Sequence, residues 1–380
     1  MKQKICIIGD GLAGLTTAAI LSKENVNIDL YTGSQKKNYT LDNRTTAISE
    51  SNYQYINNNL DLKNKSFFWP CREINLFFED KDKISNFLNF KEKNKNFMYI
   101  FQNKNLKKKL TKIIFMKKNI KLIKKNIQII NNEESSVQLD KDKKYYDLII
   151  LSIGSTSKLY SKIENNRSIK KNYKEFALTS IVKHNAKIKN ASQFFLKEGP
   201  LAILPFEKNF FSTVWSVNKE FYNNNKKNLT KILGKKIKFL LSTENIKIIN
   251  NIQPFPINLN LKTKYFKKNV LILGDGLHAV HPLAGQGFNL VIRDIKKLTE
   301  LISKILKLGL LIKNSYLLKD FYNARKAENN LFGLGINLTN IFFTNSKYFP
   351  KLKKIILSNI NNFGFIKKIT QSVADKGILF

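Results

Sequence analysis

Hydrophobic and polar positions near the start of the chain predict a strand, a turn, a helix and a second strand. Residues 5–8 form a short apolar run, a glycine-rich turn follows, and a segment rich in Ala, Leu and Thr leads to a second apolar run at residues 26–31. Short apolar runs bounded by glycine are typical of buried strands, and the segment between them is long enough for a helix. The chain therefore opens with a predicted βαβ unit.

Later segments carry further strand and helix patterns. Continuous apolar runs at residues 145–155 and 270–274 are typical of buried parallel strands, whereas residues 73–78 alternate like a half-buried strand. Residues 201–217 predict consecutive strands of an antiparallel sheet. Lysine dominates residues 105–126 among Leu, Ile and Phe, which predicts a basic amphipathic helix leading into strands.

These patterns predict an α/β fold (α+β overall) with a discontinuous, Rossmann-like nucleotide-binding domain. Antiparallel-looking strands lie between the α/β segments, so we expect a mainly antiparallel sheet as an inserted second domain, followed by a helical C-terminus. The predicted boundaries are residues 1–68, 96–165 and 266–320 for the nucleotide-binding domain, 69–95 and 166–265 for the inserted domain, and 321–380 for the C-terminal helical region.

Composition supports a folded chain and gives one warning about charge. The chain has 380 residues, of which 43% are hydrophobic and 12% aromatic, which is ample for a core. Its formal net charge is +38, but the lysines are spread along the chain and interleaved with Asn. We interpret this as a compositional background, with an acidic membrane surface as the next interpretation and nucleic acid as the last. No recognisable nucleic-acid module is present.

Cysteine content and hydropathy indicate a cytoplasmic location. The two cysteines, Cys6 and Cys71, cannot form a disulfide framework or a zinc cluster, which fits a reducing compartment. No uncharged apolar run reaches the length of a membrane span. The N-terminus mimics a signal peptide, but Asp10 and three glycines interrupt its apolar stretch. A contact with the inner face of the membrane is a further expectation.

The stretch "GDGLAG" has the spacing of a dinucleotide-binding turn. Gly9 would make the tight turn, Gly11 would let a pyrophosphate approach the backbone, and Gly14 would allow close packing of helix on strand. The phosphates would lie at the helix N-terminus, where free N–H groups and the helix dipole favour anions. The position after the second strand, where an acidic residue usually binds the ribose, is Thr32. Asp29 is the nearest carboxylate, but alternation points it away.

A second glycine-rich segment, "LILGDGLHAVHPLAGQGFNLVIRD", lies far along the chain. A buried strand ends at Gly274 and Asp275, whose carboxylate could accept hydrogen bonds from sugar-like hydroxyls. The Gly285–Asn289 turn, which includes Gln286, Gly287 and Phe288, precedes a helix and offers backbone N–H groups to an electron-rich ring. Two such turns suit a long, two-ended ligand such as FAD, whereas NAD needs only the first.

Five stretches together carry a family resemblance. They are "GDGLAG", "DNRTTAIS", "EGPLAILPF", "STVWSV" and "GDGLHAVHPLAGQGFNLVIRD", and they occur in this order over nearly the whole chain. This combination resembles the FAD-dependent aromatic hydroxylases of ubiquinone biosynthesis, which belong to the flavoprotein monooxygenases related to para-hydroxybenzoate hydroxylase. The resemblance makes the first domain an FAD-binding domain and the inserted domain a substrate domain.

The resemblance also implies roles for residues of this chain. Arg44 would reach the flavin and Asp275 would hold the ribityl chain. The loop with Pro282, Gly285, Gln286 and Gly287 would lie beside the isoalloxazine, and Pro282 and Gln286 are among the expected catalytic residues. His281 could have a direct active-site role, or it could simply cap the loop or fill space. Gln102 and Asn103 fall where the family has a flavin-facing polar residue. Ile153 replaces the Asp that the family places before Gly154, so Ile153 and Thr32 soften two cofactor contacts.

The implied reaction is ring hydroxylation. NAD(P)H would reduce the flavin, O2 would form a flavin hydroperoxide, and one oxygen atom would pass to a lipophilic prenylated phenol. Water must be excluded from such a site. The aromatic residues Phe206, Phe210, Phe211 and Trp215 could wall the substrate cavity, or they could be ordinary sheet core. His281 and His278 do not indicate a metal, because His184 is remote and no third ligand has suitable spacing.

Two alternatives remain open at this stage. One is a related flavoprotein oxidoreductase acting on another hydrophobic substrate, because cofactor motifs do not specify substrate. The other is a degenerate flavoprotein that serves as a scaffold among other quinone-biosynthesis proteins, an idea kept open by Thr32 and Ile153. Residues 106–125 and 362–380 are candidate contacts with a membrane, and the alternative for both is a solvated charged face over a packed helix.

Overall fold

The computed structural model describes residues 2–33, 42–60, 62, 67–80, 83–91, 95–139, 142–155, 157, 159–160, 168–344 and 375. Helices in this part of the chain are α1 (Leu12–Leu21), α2 (Glu50–Leu60), α3 (Asn103–Phe115), α4 (Lys219–Asn225), α5 (Leu229–Leu241), α6 (Gln286–Lys307) and α7 (Leu317–Thr344). Short 3-10 turns cover Gly274–Gly276, Leu283–Gly285 and Ile312–Asn314.

A six-stranded sheet forms the centre of the nucleotide-binding part. Its strands in spatial order are β19 (Phe266–Lys267), β20 (Val270–Ile272), β12 (Leu148–Leu151), β1 (Gln3–Ile8), β2 (Val26–Tyr31) and β8 (Ile120–Ile123). From β20 to β8 each neighbouring pair is parallel, and β19 is antiparallel to β20. The apolar runs at residues 5–8, 26–31 and 148–151 are buried, as the sequence predicts.

Helices α1, α3 and α6 cover this sheet, and α1 contacts the other two. The lysine-rich helix α3 buries Leu106, Leu110, Ile113 and Ile114 in the core. Its apolar face is therefore packed against the protein, as the alternative interpretation expects, and the membrane contact of residues 106–125 stays a prediction. Residues 362–380, the other candidate membrane contact, lie outside the described residues except for Asp375.

The second large sheet is mainly antiparallel. In spatial order it contains β21 (His278–Ala279), β18 (Gln253–Lys262), β13 (Ser168–His184), β16 (Phe210–Asn218), β15 (Gly199–Glu207), β14 (Ala191–Leu196), β5 (Glu73–Asp80) and β6 (Lys83–Lys91), and β17 (Ile246–Ile248) pairs with β13. Only β14 and β5 pair in parallel among these contacts. The strands predicted within residues 73–78 and 201–217 are confirmed.

Two small sheets complete the described strands. One contains β3 (Thr45–Ser49), β7 (Met98–Gln102) and β4 (Trp69–Cys71), and the other contains β11 (Asp142–Tyr145), β10 (Ser136–Leu139) and β9 (Ile129–Asn131). The first of them joins the nucleotide-binding sheet to the large antiparallel sheet through the cluster that includes Ala47, Met98 and Phe206. The mixed α/β architecture is confirmed, whereas the domain boundaries stay a prediction.

Within the described residues, no helix carries an apolar stretch long enough to cross a membrane.

Candidate functional site

Three strands of the central sheet end at one edge, and glycines let their loops meet there. Gly9 follows β1 with a φ of +123°, and a Cβ at this position would overlap the carbonyl of Ser152, which follows β12. A Cβ on Gly14 would overlap the carbonyl of Gly9, so α1 starts directly against the turn. Gly274 follows β20 with a φ of +80°, and its Cβ would lie 2.8 Å from Ala13. The two glycine-rich segments of the sequence are thus in direct contact.

Gly11 differs from these glycines because open space lies next to it. An ideal Cβ on Gly11 has no heavy atom within 4 Å among its described neighbours. Gly11 is also the N-cap of α1, and no side chain caps this helix end. Free N–H groups at an uncapped helix N-terminus beside open space form an anion site. The first turn therefore has the shape and polarity for a pyrophosphate.

An ion pair lies beside this turn. Lys107 on α3 places its Nζ 3.3 Å from Oδ2 of Asp10, the residue between Gly9 and Gly11. The charge of Lys107 also acts on Asp42. A carboxylate at Asp10 opposes the binding of an anion, and Lys107 offsets that charge. Sequence reasoning missed Lys107, although an acidic residue inside a phosphate-binding turn is a signal to look for a nearby cation.

Neither residue considered for the adenosine end of the site, Thr32 or Asp29, offers a free carboxylate to the ribose. The backbone N–H of Thr32 donates to the carbonyl oxygen of Ile123 at 3.0 Å, which ties the end of β2 to the end of β8. Asp29 points away, as alternation predicts, and its Oδ2 accepts a hydrogen bond from the Tyr146 hydroxyl at 2.7 Å. Asp29 is therefore occupied within the protein, and Thr32 stays a predicted cofactor contact.

Tyr160 fills the space between the loops after β12 and β20. Its hydroxyl accepts a hydrogen bond from the backbone N–H of Ile153 at 3.3 Å, and a Cβ on Gly276 would overlap it. Ile153 thus takes part in a backbone contact that needs no acidic side chain. The departure from the family at Ile153 leaves this part of the fold intact.

Arg44 forms a bidentate ion pair with Asp42. Its Nε and a terminal nitrogen each donate to Asp42 at 2.8 Å, and its guanidinium lies 5.2 Å from the centre of the Phe255 ring. Hydrogen bonding to Asp42 raises the pKa of Arg44, and the charge of exposed Asp275 contributes further. Arg44 and Asp275, predicted from opposite ends of the sequence, are therefore electrostatic neighbours.

Gln102 and Asn103 lie next to Arg44 at the junction of β7 and α3. Gln102 is buried and pairs with Thr45 across the small sheet. The N–H of Asn103 donates to the carbonyl of Arg44 at 3.0 Å, and the Asn103 side chain accepts from Thr46 at 2.6 Å. These contacts hold the Arg44 segment against α3, the helix that carries Lys107.

The loop before α6 is held by His281, which is fully buried. Its Nδ1 accepts the N–H of Leu283 at 3.2 Å, so Nε2 carries the proton and donates to Glu175 at 3.1 Å. Tyr173 packs edge-on against the imidazole with ring centres 5.3 Å apart. His281 therefore fixes the loop to β13 as a neutral imidazole, and the geometry supports a positioning role for this residue.

Gly285 and Asn289 fix the start of α6 against β3. Gly285 has a φ of +64°, and its Cβ would lie 3.1 Å from that of Ala47. The Asn289 amide donates to the carbonyls of Ala47 and Gly285 at 3.1 and 3.2 Å, and its Oδ1 accepts the N–H of Ser49 at 2.9 Å. The Asn289 side chain is thus engaged by the protein, so any cofactor contact of Asn289 would use its backbone.

Gln286 and its neighbours form the open end of this loop. Among the described residues, the Gln286 Oε1 atom is buried without a hydrogen-bond partner. Pro282, Gly285, Gly287 and Phe288 are partly buried around it. A small, partly open cleft lies beside Gln286 and is lined by Ile48, Ser49, Phe97, Met98, Asn289 and Asp375.

Both glycine-rich turns have features that fit FAD. The uncapped α1 N-terminus and open space at Gly11 suit the diphosphate, and the N-terminus of α6, which also lacks a side-chain cap, suits an electron-rich ring edge. A flavin ring carries an N–H group on its pyrimidine edge, which would satisfy the orphaned Gln286 Oε1. The residues present therefore match the two-ended ligand that the sequence predicts.

One face of the large sheet lies opposite this loop. Ser212 hydrogen-bonds with Thr45 of β3, and Glu175 holds His281, so these side chains define the face that meets the nucleotide-binding part. Ala202 pairs with Val214, and both stay partly exposed although they lie in the middle of the sheet. The described chain therefore leaves part of this face uncovered, and the substrate cavity expected on this sheet stays a prediction.

The aromatic residues expected around the cavity divide between the two faces. Phe211 and Trp215 pack with Leu233 of α5 on the opposite face, so their alternative assignment as ordinary sheet core is confirmed. Phe206 and Phe210 lie in the cluster beside Ala47, on the face toward β3. The reason is alternation, which puts Phe211 and Trp215 on the side away from Ser212.

His278 belongs to a buried polar network and not to the cleft. Its Nε2 lies 2.6 Å from Oδ2 of Asp294, whose Oδ1 accepts from Arg325 at 2.7 Å and from Asn329 at 3.1 Å. Arg325 also pairs with Glu328. This network joins α6 to α7. Within the described ranges, no three His, Cys, Asp or Glu side chains lie close enough together to hold a metal ion.

Comparison with known proteins agrees with this geometry. The model of the FAD binding domain family matches residues 152–309. The chain is 24% identical to "Ubiquinone biosynthesis monooxygenase COQ6, mitochondrial" of Dictyostelium discoideum, over 97% of this chain and 90% of the relative. It is 22% identical to "Ubiquinone hydroxylase UbiM" of Neisseria meningitidis, over 97% of this chain and 84% of the relative.

Solved structures share the fold. The p-nitrophenol 4-monooxygenase PnpA of Pseudomonas putida superposes with a TM-score of 0.77 at 12% identity, covering 99% of both chains. PqsL of Pseudomonas aeruginosa gives a TM-score of 0.73 at 15% identity, covering 92% of this chain and 99% of the other. The resemblance stated from the sequence is confirmed. The chain contains a match to the FAD binding domain family and is similar over nearly its whole length to FAD-dependent monooxygenases of ubiquinone biosynthesis.

Proposed function

We propose that this protein hydroxylates the aromatic ring of a polyprenylated phenol in ubiquinone biosynthesis, using O2 and electrons from NAD(P)H. The observation that carries the proposal is the direct contact between the two glycine-rich segments, with Gly274 against Ala13, opposite an open sheet face of small residues. Similarity to ubiquinone hydroxylases over 97% of the chain supports the choice of substrate class.

The residues of the chain have distinct tasks in this proposal. The α1 N-terminus at Gly11 binds the diphosphate, and Asp275 accepts hydrogen bonds from the ribityl hydroxyls. Gln286 and the α6 N-terminus hold the ring edge, and His281 keeps their loop in place. Bound FAD supplies the oxygen-transfer chemistry, so the chain itself needs little acid–base chemistry.

Exclusion of water is the remaining task of the protein. Leu283 of the loop packs with Phe87, Leu88 and Phe195 of the large sheet, and Ile336 of α7 closes the same cluster. The Thr45–Ser212 hydrogen bond joins β3 to the sheet on the other side. An apolar enclosure of this kind suits a lipophilic phenol. It also suits a reaction in which water would cause electrons from NAD(P)H to be spent without hydroxylation.

A second candidate is a flavoprotein scaffold without hydroxylase activity. Thr32 and Ile153 stand where the family has acidic cofactor contacts, and weak FAD binding would follow if nothing compensates for them. Purified protein that carries flavin absorbance would contradict this candidate. A protein that binds no FAD at micromolar concentrations would support it.

Two measurements test the hydroxylase proposal. Cells that lack the protein should accumulate one prenylated phenol intermediate, and its structure identifies the blocked step. Purified protein should consume NAD(P)H in an oxygen-dependent manner that a prenylated phenol stimulates. Stimulation that is equal without oxygen would replace the hydroxylase by a related oxidoreductase.

The cellular location belongs to the same proposal. The predicted cytoplasmic location, with a peripheral contact at the inner membrane face and with other quinone-biosynthesis proteins, stays our expectation for this chain. The relative from Dictyostelium discoideum is named mitochondrial. Fractionation of cells at low and high ionic strength tests the peripheral contact, because an electrostatic attachment weakens with salt.

A further inference from the structure

Part of α7 buries polar and charged side chains and exposes leucines. Arg325, Glu328 and Asn329 are buried, where they form the network with Asp294. Leu331, Leu334 and Leu338 are 55%, 39% and 64% exposed. A surface helix of a globular protein normally buries its leucines and exposes its charges. We call these three leucines the α7 stripe.

The α7 stripe is continuous and uncharged. Its members follow each other at intervals of three and four residues, which places them on one face of the helix. The exposed positions between residues 327 and 339 are Ala327, Leu331, Leu334, Gly335, Leu338 and Thr339. None of them is charged, in a chain where 25% of residues are charged.

The helix that carries the stripe is firmly fixed next to the candidate active site. A Cβ on Gly333 would lie 2.6 Å from Leu261 of β18, so the helix backbone contacts the sheet directly. Ile336 packs with Leu283 of the loop before α6. Asn337 accepts a hydrogen bond from Tyr173 at 2.9 Å, and Tyr173 packs on His281. The stripe is therefore the outer side of a helix whose inner side packs against the large sheet and the loop before α6.

A lysine of β13 lies beside the α7 stripe. Lys171 donates to Asn337 at 3.2 Å, and its neighbours Ile169 and Lys170 are exposed. The sequence from residue 345 to 380, which directly follows α7, has seven lysines and one acidic residue. An apolar stripe with flanking lysines is the pattern of a helix that lies in the interface of an anionic bilayer.

We propose that the α7 stripe is the docking surface of this protein for an anionic lipid bilayer. A second copy of the chain is a poorer occupant, because two surfaces of a protein with a net charge of +38 repel each other. Docking through α7 places the helix that packs on the loop before α6 at the level of the lipids. A lipid-tailed phenol then reaches the site without crossing water, a use of the surface that rests on the proposed hydroxylase function.

Vesicle binding of matched variants tests the proposal. The stripe variant combines Leu331→Gln, Leu334→Gln and Leu338→Gln. The control combines Leu308→Gln, Leu310→Gln and Leu311→Gln, three leucines after α6 that are 62%, 52% and 56% exposed. With vesicles of phosphatidylcholine and phosphatidylglycerol, we expect the stripe variant to bind at least about tenfold more weakly than wild type and the control to bind normally.

Three outcomes would overturn the proposal. The stripe variant could bind vesicles as wild type does, or the control could lose binding to the same extent. Sedimentation could also show a wild-type dimer that the stripe variant cannot form, which would assign the stripe to self-association. Because the vesicles contain no phenol, binding is measured without catalysis. A protein that binds vesicles but does not hydroxylate would contradict only the proposed function.

A second measurement does not depend on removing leucines. Leu334→Trp keeps a large apolar side chain in the stripe, and Leu310→Trp is its control. We expect the emission of Leu334→Trp to shift to shorter wavelength with anionic vesicles and to be quenched by brominated lipids, because indole then enters the bilayer interface. Equal spectra with and without vesicles would contradict docking through α7.

Discussion

Glycines around the candidate flavin site serve two different purposes, and the space beside each one separates them. Gly9, Gly14 and Gly276 lie where a Cβ would overlap neighbouring atoms, and Gly274 would bring its Cβ to 2.8 Å from Ala13. Gly9 and Gly14 are required for the fold, because a Cβ on either would meet a backbone carbonyl, whereas Gly276 meets only the hydroxyl end of Tyr160. Gly11 has open space beside it and is free of that requirement. We therefore propose that its role is in ligand binding.

This difference predicts opposite effects of two substitutions. Gly11→Ala should lower the stability of the FAD-free protein by only about 0.5–1 kcal/mol, because its φ of −72° suits alanine although alanine is a poorer N-cap than glycine. It should weaken FAD binding about tenfold or more, because the Cβ occupies the phosphate space. Gly9→Ala should lower the melting temperature of the FAD-free protein. Thermal unfolding and fluorescence titration with FAD measure the two effects. Unchanged FAD affinity in Gly11→Ala would place the phosphates elsewhere.

Lys107 offers a second test at the residue scale. Lys107→Met leaves the Asp10 carboxylate without its 3.3 Å partner beside the phosphate turn, so we expect FAD to bind about tenfold more weakly. Lys107→Arg should retain affinity. Adding Asp10→Asn to Lys107→Met should restore most of it, because the repulsive charge is then gone.

The control for Lys107 is Lys108, which is exposed on the same helix. Lys108→Met removes the same charge from α3 and should leave the FAD dissociation constant nearly unchanged. Titration at two salt concentrations separates the local pair from general attraction of the basic surface. If Lys108→Met and Lys107→Met weaken binding equally, the Asp10–Lys107 pair has no special role.

At the scale of elements, a buried polar network joins α6, which begins at the candidate flavin site, to α7. Asp294 of α6 contacts Arg325 and Asn329 of α7 and also His278 of β21. Arg293 lies 3.4 Å from Glu328 and adds a second ion pair. The two Arg residues balance the two carboxylates when His278 is neutral. Helix α6 begins at Gln286, so the network fixes the helix whose N-terminus belongs to the candidate flavin site.

Removal of the Asp294 charge should destabilise the fold strongly. Asp294→Asn removes one of the two carboxylates that contact the buried Arg325 and leaves the network one negative charge short, so we expect a loss of about 3–5 kcal/mol in the free energy of unfolding at neutral pH. Asp320→Asn, an exposed position in the first turn of α7, is the control and should cost little. Denaturant unfolding measures both. A loss below about 1 kcal/mol in Asp294→Asn would show that the network contributes little.

The same carboxylate predicts a pH dependence. Burial tends to raise the pKa of Asp294, but the charges and hydrogen bonds of Arg325 and His278 outweigh it, so the folded pKa is lowered. The stabilisation is then complete above the unfolded pKa of about 4 and is lost as the pH falls through the folded value. The gap in melting temperature between wild type and Asp294→Asn should narrow below about pH 4. A constant gap down to pH 3 would contradict this assignment.

Sequence patterns predicted those features of the site that depend on local backbone. The turn at Gly9–Gly14 and the turn at Gly285 need particular conformations, so their residue types reveal them. Contacts between remote elements were not predictable in the same way. The pairing of Lys107 with Asp10 and of Glu175 with His281 depends on how α3 and β13 pack, which no local pattern specifies.

Element faces show the same limit. Alternation along β16 separates Phe211 and Trp215 from Ser212, but it does not say which side meets the cofactor. Docking of Thr45 on Ser212 decides that question. In α7, a periodic apolar pattern normally predicts the buried face, whereas here Leu331 and Leu338 point outward. The buried network takes the inner face, and the helical period alone could not reveal that inversion.

At the scale of the whole molecule, the candidate flavin site is assembled from segments that are remote in sequence. The first turn lies near residue 10 and the second near residue 285, yet Gly274 contacts Ala13 and Gly285 contacts Ala47. Helix α3 and strand β3 lie between the two turns and connect them through Asn103. A ligand that contacts both turns therefore bridges parts of the chain that are far apart in sequence.

This arrangement predicts a difference between FAD and ADP in hydrogen exchange. FAD should slow exchange of the amides in residues 9–15 and in residues 285–290, because it contacts both turns and ligand binding stabilises whatever it bridges. ADP, which has only the phosphate end, should protect the first segment alone. Helix α5, which packs on the far face of the large sheet, should exchange at the same rate in all states. Protection of residues 285–290 by ADP, or no protection of them by FAD, would mean that the two turns do not hold opposite ends of one ligand.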